Sequence, residues 1–375
     1  MNGSIRQRSK GTWQLRYDAP PDANGKRKQT NETVKGTKKE AERELRERLA
    51  AIENGGYVPK HKETVREFMQ RWLETYAATN VTLRTLQGYR GYVDRYIDST
   101  IGAVHLQTLT ARHIQGVYAG MLERGLSNTT VVQLHRIVRQ ALAHAVKWGI
   151  LTRNVTDATS PPSIQRKQIK MWDVDTIRRF LGLTKGARFG DLYHQAVFTG
   201  LRRSELCGLH WDDVDLIGGK LSVVSTLQRI RGHGLVEGQP KTQKSRRSIA
   251  LSPQAVDVLH SIRGRQIEQQ LEAGPLWQNA GYVFTEPDGR PVIPDQVTQD
   301  FARTIRKAGL PHLTFHGLRH AHATLLLTAG VHPKVVSERL GHSNIAITMD
   351  IYSHVLPGLQ EQAVLALDQR LSLGG

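Results

Sequence analysis

Residues 340–354 read LGHSNIAITMDIYSH, with a Gly-His pair near the start and Tyr352 near the end. Taken alone, this stretch is typical of a turn followed by a short helix, and a tyrosine after an aliphatic residue is usually packed in a core. A tyrosine hydroxyl can also act as a covalent nucleophile when neighbouring groups activate it. The choice between these interpretations depends on the rest of the sequence.

Two earlier stretches carry charged side chains that are ordinary when taken one at a time. TGLRRSE, residues 199–205, places Arg202 and Glu205 three positions apart, which by itself predicts an ion pair on a helix face. PKTQKSRR, residues 240–247, is a basic turn between two predicted strands. Lys241 is by itself a solvated charge in that turn.

The stretch HGLRHAHATLLL, residues 316–327, predicts a helix with His316, Arg319 and His320 on one face. Two histidines four positions apart also occur in zinc hydrolases, but that motif needs a glutamate beside the first histidine, and Gly317 stands there. We therefore expect no metal site at this helix. For His320 and His322, packing is the favoured interpretation.

Net charge is the strongest bulk property of the chain. Its 375 residues carry a formal net charge of +18, with a pI near 10.1, which favours a polyanionic partner. Nucleic acid, an acidic membrane surface and an acidic protein all remain open. Because the positive charge is spread along the chain, an extended DNA or RNA footprint is favoured.

Other bulk properties exclude several classes of protein. No run approaches the roughly 18 apolar residues of a membrane helix, so we expect no membrane span. Because the spread of charge favours nucleic acid, we expect no membrane partner either. The N-terminus lacks the apolar segment of a secretion signal. Cys207 is the only cysteine, which excludes a disulfide framework and a cysteine-based zinc site. A cytoplasmic protein is expected.

The N-terminal region, residues 1–56, is predicted to be a small β-sheet-plus-helix module. Trp13, Leu15 and Tyr17 alternate on one face of a strand. A turn, a second strand and a helix with capping-box spacing between Thr37 and Glu40 follow.

The remaining chain divides into two larger predicted domains. Residues 63–158 carry apolar side chains at helical spacing and predict an all-α domain, and residues 159–170 form a basic, proline-containing linker. Residues 171–375 predict a mixed α+β, mainly helical domain that ends in a tail helix. Its predicted strands include KLSVVSTL, RRSIAL and GYVFT, residues 220–227, 246–251 and 281–285.

The four motif stretches, in this order and at these separations, resemble the tyrosine recombinases. The whole chain resembles their phage and conjugative-element integrase branch, although the N-terminal resemblance rests more on pattern than on a motif. The resemblance implies a multidomain fold: an arm-site DNA-binding domain, a helical SAM-like core-binding domain and a tyrosine-recombinase catalytic domain. The implied activity is site-specific DNA recombination through a 3′-phosphotyrosyl intermediate, which integrates or excises a mobile element such as a viral genome.

The resemblance carries over to single positions of this sequence. It implies Glu205 as a structural brace and Ser353 and His354 as flanking residues. It implies six catalytic residues: Arg202, Lys241, His316, Arg319, His342 and Tyr352.

These residue types suit the implied reaction. Two guanidinium groups, of Arg202 and Arg319, can hold the non-bridging phosphate oxygens and stabilise a pentavalent transition state. Lys241 is expected to protonate the leaving 5′ oxygen, and His316 to accept or relay the proton of the tyrosine. His342 is expected to bond the phosphate or steady the leaving side. No metal and no cofactor are expected.

The resemblance also implies partners and leaves alternatives open. The partners are double-stranded DNA at core and arm attachment sites, a homotetramer on that DNA, and accessory proteins that bend DNA or set direction. The apolar stripe of the tail, from Leu359 to Leu371, is either an ordinary packed helix or a segment that docks on a neighbouring subunit. A type IB topoisomerase-like enzyme and a non-enzymatic DNA-binding regulator are the alternative functions.

Overall fold

The computed structural model describes residues 3–20, 28–54, 56–165, 171–240, 245–355, 364–365, 367–368 and 371. The chain comprises two compact units, residues 1–166 and 167–375. The structure confirms the predicted multidomain architecture, with strands at the N-terminus and mainly helical structure beyond them.

The first unit begins with a three-stranded antiparallel sheet in the order β1–β2–β3. Leu15 and Tyr17 of the middle strand are buried against Leu45 and Ile52 of the following helix, as the alternation predicted. The elements are β1 (Gly3–Ser9), β2 (Thr12–Ala19), β3 (Lys28–Lys35) and α1 (Lys38–Glu53).

Strand β1 is not predicted by the sequence. Its residues GSIRQRS contain one large apolar side chain, Ile5, so hydropathy shows no buried face. The strand forms because its backbone pairs with β2 along the edge of the sheet. The predicted capping box of α1 is confirmed, since Thr37 and Glu40 bond each other's backbone N–H groups.

The helical part of the first unit has its own core. Thr64 caps its first helix through a second capping box with Glu67, and the π-helical turns Leu73–Ala77 and Val93–Asp98 continue two of its helices. Its helices are α2 (Val65–Trp72), α3 (Ala78–Asn80), α4 (Leu83–Tyr92), α5 (Ala111–Glu123) and α6 (Asn128–Lys147).

The second unit is mainly helical and packs around a cluster of aromatic rings. Phe180, Tyr193 and Phe301 are fully buried and contact one another. Its helices are α7 (Val174–Thr184), α8 (Gly190–Thr199), α9 (Arg203–Cys207), α10 (Pro253–Ala273), α11 (Pro294–Lys307), α12 (Phe315–Thr328), α13 (Pro333–Leu340) and α14 (Ala346–Val355).

Short strands interrupt these helices and form two small antiparallel sheets. One has the order β4–β5–β8, and the other pairs β6 with β7. The strands are β4 (Val214–Asp215), β5 (Lys220–Val223), β6 (Thr226–Ile230), β7 (Gly234–Gly238) and β8 (Arg247–Ala250).

One of the strand predictions for this unit was wrong, and another was right except that its stretch forms two strands. The stretch 220–227 is divided between β5 and β6, which lie in different sheets, because the chain leaves the first sheet at Val224 and Ser225. The stretch 281–285 makes only isolated bridges, Tyr282 with His210 and Thr285 with Pro291. Its apolar run is buried in the core without joining a sheet. The prediction for 246–251 is confirmed by β8.

No helix among the described residues is long and apolar enough to cross a membrane.

The described residues of the tail are helical: Val364, Leu365, Leu367, Asp368 and Leu371. Val364, Leu367 and Leu371 are between 59% and 71% exposed. The described part of the stripe is therefore not packed in the core of this chain.

Candidate active site

A tight turn after α8 positions Arg202. The helix ends at Gly200, whose φ of 65° favours glycine. A Cβ there would lie 2.6 Å from the His322 and Leu340 side chains, so this position also has no room for a side chain. The chain then turns at once into α9, with Arg202 as its N-cap residue.

Glu205 is buried between two arginines. Its carboxylate accepts hydrogen bonds from the backbone N–H of Arg202 at 2.9 Å and from Arg202 Nη1 at 2.6 Å. On the other side, Arg247 Nη2 and Nη1 donate to the two carboxylate oxygens at 3.0 and 3.2 Å. Burial favours the neutral acid, but the hydrogen bond and charge of Arg247, with the charge of Arg202, hold the pKa of Glu205 below its usual value.

Arg319 lies on α12, directly beside this pair. It is 3% exposed, and its Nη1 donates to the carbonyl of Gly200 at 2.9 Å while Nη2 donates to the carbonyl of Leu340. Burial, and then the positive charge of Arg202, lower the pKa of Arg319 to about 9. An arginine with this pKa is charged at neutral pH, and an anion that comes close stabilises its charge.

His316 lies one turn before Arg319 on the same helix. Much of its surface is exposed, but its ring packs edge-on against the ring of His320, with the centroids 4.9 Å apart. This partial desolvation, followed by the positive charges of His320, Arg319 and Arg202, lowers the pKa of His316 to about 4. The ring is therefore neutral at physiological pH and able to accept a proton.

His342 follows α13, after Gly341 in the left-handed conformation. Its Nδ1 lies 2.8 Å from the hydroxyl of Thr348. Burial, and then the charges of Arg319 and Arg202, lower the pKa of His342 to about 4. This ring is also neutral at physiological pH.

Arg202 and Glu205 border an open cavity of about 350 Å³. Its lining includes residues from four stretches of the second unit, so the fold and not a single segment creates it. The lining residues include Arg202, Glu205, Gln228, Gln239, Gly341 and Ser343.

Two of the predicted site residues are only partly located by the structure. Lys241 lies outside the described residues, between β7 and β8. Tyr352 belongs to α14, which packs against α12 and α13, but its side chain is not among the described ones. The predicted strands thus flank the segment of Lys241, and Tyr352 lies on a helix that contacts the helix of Arg319.

Sequence reasoning missed two arginines of this region. Arg247 contacts Glu205, and Arg339 donates to His322 Nε2 at 3.2 Å and to the carbonyl of Ala250 at 2.9 Å. The alternation of β8, which buries Ile249, places Arg247 on the same inward face and could have indicated it. His322 is 5% exposed, in agreement with the packing interpretation.

The site brings together basic and neutral groups around the carboxylate of Glu205. Among the described residues, no group of three or more His, Cys, Asp or Glu side chains is arranged to hold a metal ion. Arginines and neutral imidazoles are groups that bind a phosphate and transfer protons to and from it.

Comparison with known proteins identifies the family. The phage integrase family model matches residues 183–358, and the model of the phage integrase N-terminal SAM-like domain matches residues 64–122. A XerC-like tyrosine recombinase of Caldanaerobacter subterraneus subsp. tengcongensis is 31% identical over 350 residues, which cover 88% of this chain and 90% of that protein. The chain belongs to the tyrosine recombinase family.

Other relatives place this recombinase among the integrases. The ICEBs1 integrase of Bacillus subtilis is 27% identical over 287 residues, covering 76% of this chain and 77% of that protein. A structure of the Tn1549 transposon integrase in complex with transposon right end DNA matches with a TM-score of 0.70 and 25% identity, over 82% of this chain and 99% of that one. A lambda integrase tetramer bound to a Holliday junction shares the fold, with a TM-score of 0.60 and 17% identity over 92% and 94% of the two chains.

The recombinase is therefore a site-specific DNA strand transferase of the integrase type found in mobile elements. This membership favours the predicted function over the topoisomerase-like enzyme and over the non-enzymatic regulator.

Proposed function

We propose that the recombinase cleaves DNA by attack of the Tyr352 hydroxyl on a phosphodiester held by Arg202 and Arg319. The observation that carries this proposal is the convergence of those two guanidinium groups, with His316 and His342, in one region of the second unit. Both arginines are charged and near enough to influence each other's electrostatics. A phosphate that enters between them gains two bidentate donors.

We assign the remaining roles from the chemistry of the side chains. Neutral His316 accepts the proton of the tyrosine, and neutral His342 donates or accepts at the phosphate. Lys241 protonates the 5′ oxygen as it leaves. Glu205 holds Arg202 in place. The products are a 3′-phosphotyrosine and a free 5′ hydroxyl, and the covalent bond keeps the energy that later rejoining requires.

The proposed division of labour assigns DNA sites to three regions. Residues 1–56 bind arm sites, residues 63–158 are the core-binding domain, residues 159–170 link it to the catalytic domain, and residues 171–375 are that domain with its tail. The related structures of integrases on transposon-end and core-site DNA support DNA as the partner.

Assembly on DNA is part of the same proposal. We propose a homotetramer that acts in the bacterial cytoplasm, with accessory proteins that bend DNA or set direction. The lambda integrase tetramer supports the tetramer through the shared fold. The exposed Val364, Leu367 and Leu371 of the tail support docking on a neighbouring subunit. If deletion of residues 359–375 left tetramer formation on DNA unchanged, the docking role would be lost.

A nicked suicide duplex tests the chemistry. The chain's own core site is first defined by footprinting and then nicked so that the short fragment with the free 5′ hydroxyl diffuses away after cleavage. The wild-type chain is expected to accumulate a covalent adduct. Arg319→Met is expected to cleave on the order of a hundredfold more slowly or worse, because one preorganised donor to the transition state is lost.

Tyr352→Phe is expected to bind the same duplex with unchanged affinity and to form no adduct. An adduct that persists in Tyr352→Phe would contradict the assignment of the nucleophile. Good binding by the wild-type chain without any adduct would contradict the whole mechanism.

A further inference from the structure

Three consecutive carbonyls at the end of α13 each accept a hydrogen bond from a different arginine. Helix ends leave such carbonyls without partners inside the helix, and they carry partial negative charge. The pairs are Arg247 Nε with the carbonyl of Arg339 at 2.6 Å, Arg319 Nη2 with that of Leu340, and Arg202 Nη2 with that of Gly341 at 3.1 Å.

Two of these three donors are the arginines that we assign to the phosphate, and Arg247 is the third. The Arg247 side chain is 7% exposed. All three of its side-chain nitrogens donate to protein acceptors: Nε to the carbonyl of Arg339, and Nη1 and Nη2 to Glu205. Arg247 is thus fixed in the same network with each of these nitrogens already engaged.

The contacts of Arg247 divide into two sets. Its Nη1 and Nη2 form a fork with the two oxygens of Glu205, at 3.2 and 3.0 Å. Its Nε holds the end of α13, which leads into His342, and Nη1 also donates to the carbonyl of Ser245 at 3.0 Å. Arg247 therefore joins β8, the Glu205 helix and the end of α13 through one planar group.

Among the described residues, Glu205 is the only carboxylate in contact with these arginines, and it is shared between Arg202 and Arg247. A buried carboxylate needs a compensating charge. With Arg247 present, one guanidinium compensates Glu205 through a fork, while Arg202 uses Nη1 for Glu205 and Nη2 for a backbone carbonyl. Without Arg247, the whole negative charge of Glu205 would act on Arg202 and compete with a phosphate for it.

We propose that Arg247 is a positioning residue of the recombinase, which neutralises Glu205 and fixes the end of α13 so that Arg202 remains available to the DNA phosphate. The proposal rests on the proposed function, because it assumes that Arg202 binds the phosphate that Tyr352 attacks.

The test uses the full-length chain and the nicked core-site duplex, with the rate constant of adduct formation and the affinity for DNA measured separately. Arg247→Met keeps a long apolar side chain and removes the charge and the fork. We expect its cleavage rate constant to fall on the order of a hundredfold, as for other displacements of a catalytic group. Its affinity for the duplex should change by less than about threefold, since Arg247 is not exposed to DNA.

A second variant separates positioning from a loss of folding. In Arg247→Met combined with Glu205→Gln, the carboxylate that competes for Arg202 is gone. We expect this double variant to cleave at least about tenfold faster than Arg247→Met alone, a non-additivity typical of residues that share one network. If Arg247 were needed only for the fold, the double variant would be as slow as the single variant or slower, and the proposal would be overturned.

The neighbouring Arg203 offers a matched control. It pairs with Thr298 and Asp295 of α11, away from the Glu205 network. Arg203→Met is expected to keep a cleavage rate constant within about threefold of wild type, as for a partly exposed ion pair away from the reacting groups. A loss equal to that of Arg247→Met would overturn the proposal, since any arginine of this region would then have the same effect.

The dependence on pH gives a further readout. Glu205 is faced by Arg202, Arg247, Arg319 and His316, and in Arg247→Met the first compensating partner is lost while burial remains. The pKa of Glu205 should then rise, and a proton taken up at lower pH should release Arg202. The rate deficit of Arg247→Met relative to wild type is expected to shrink from pH 8.5 to 6, and a constant deficit would overturn the proposal. If the wild-type chain itself forms no adduct, the proposed function fails and not this inference.

Discussion

His322 shows how the structure assigns a role to a single residue. Its Nδ1 lies 2.8 Å from the carbonyl of Val197, which can only accept, and its Nε2 accepts from Arg339 Nε at 3.2 Å. Only a neutral ring with its proton on Nδ1 satisfies both partners. Burial, and then the charge of Arg339, lower the pKa of His322 to about 4.

From the lowered pKa of His322 we predict that acid destabilises the second unit. The unfolded ring has its ordinary pKa near 6.5, so between pH 6.5 and 4 the unfolded chain binds a proton that the folded chain does not. The stabilisation is complete above pH 6.5 and is lost as the pH falls towards 4; at pH 5 the loss amounts to about 2 kcal/mol. Hydrogen exchange of the α12 amides at pH 7.5 and 5 measures it.

His322→Gln is the control for that prediction, because glutamine does not titrate in this range. The variant should lose less protection of α12 on acidification than the wild-type chain does. Since His316, His320 and His342 also have lowered pKa values, the difference between variant and wild type is the informative quantity. An equal loss in both would contradict the role of His322.

At this scale, the sequence predicted contacts within one motif and missed contacts between distant positions. Arg202 with Glu205 and His316 with Arg319 are spaced on their own helices, so their proximity could be predicted. Arg247 meets Glu205 across 42 positions. No periodicity within either stretch contains that contact.

At the scale of the element, the turn between α8 and α9 decides where Arg202 lies. Gly200→Ala should destabilise the second unit for two reasons: the left-handed conformation costs about 1–2 kcal/mol for alanine, and the added methyl group would collide with His322 and Leu340 at 2.6 Å. Overpacking of this kind adds about 1–3 kcal/mol. Thermal or urea unfolding measures the sum.

Gly330→Ala is the matched control for this turn. Gly330 has a φ of 80°, and no atom of the described residues lies within 4 Å of the point that a Cβ would occupy. Its substitution should therefore show only the conformational cost. Equal destabilisation by the two variants would mean that the close packing at Gly200 contributes nothing.

The elements that the sequence failed to predict share a cause. Strand β1 has almost no apolar face, and residues 281–285 have an apolar run without a strand partner. In both cases the outcome depends on which backbone lies alongside, and hydropathy contains no information about that. Helix α6, by contrast, carries a continuous apolar stripe at helical spacing, and the residues of that stripe are all buried: Leu134, Ile137, Val138, Ala141, Leu142 and Ala145.

At the scale of the whole molecule, the net charge of +18 should govern the binding of DNA. If the chain contacts six or more phosphates, its affinity should fall about a thousandfold between 50 and 200 mM salt, because bound counterions are released on binding. Fluorescence anisotropy with the core-site duplex and with a scrambled duplex measures this. The affinities for the two duplexes should fall in parallel. A fall in affinity of less than about tenfold would contradict a binding mode dominated by phosphate contacts.

The central claim is that Tyr352 is the residue that becomes joined to DNA. Trypsin cleavage after Arg339 and Arg370 would release residues 340–370, in which Tyr352 is the only tyrosine. After trapping on the nicked duplex and digestion with nuclease and trypsin, mass spectrometry should find the phosphonucleotide on this peptide, with fragment ions that locate it at Tyr352. A nucleotide on another peptide, or on a serine or threonine of this one, would contradict the account.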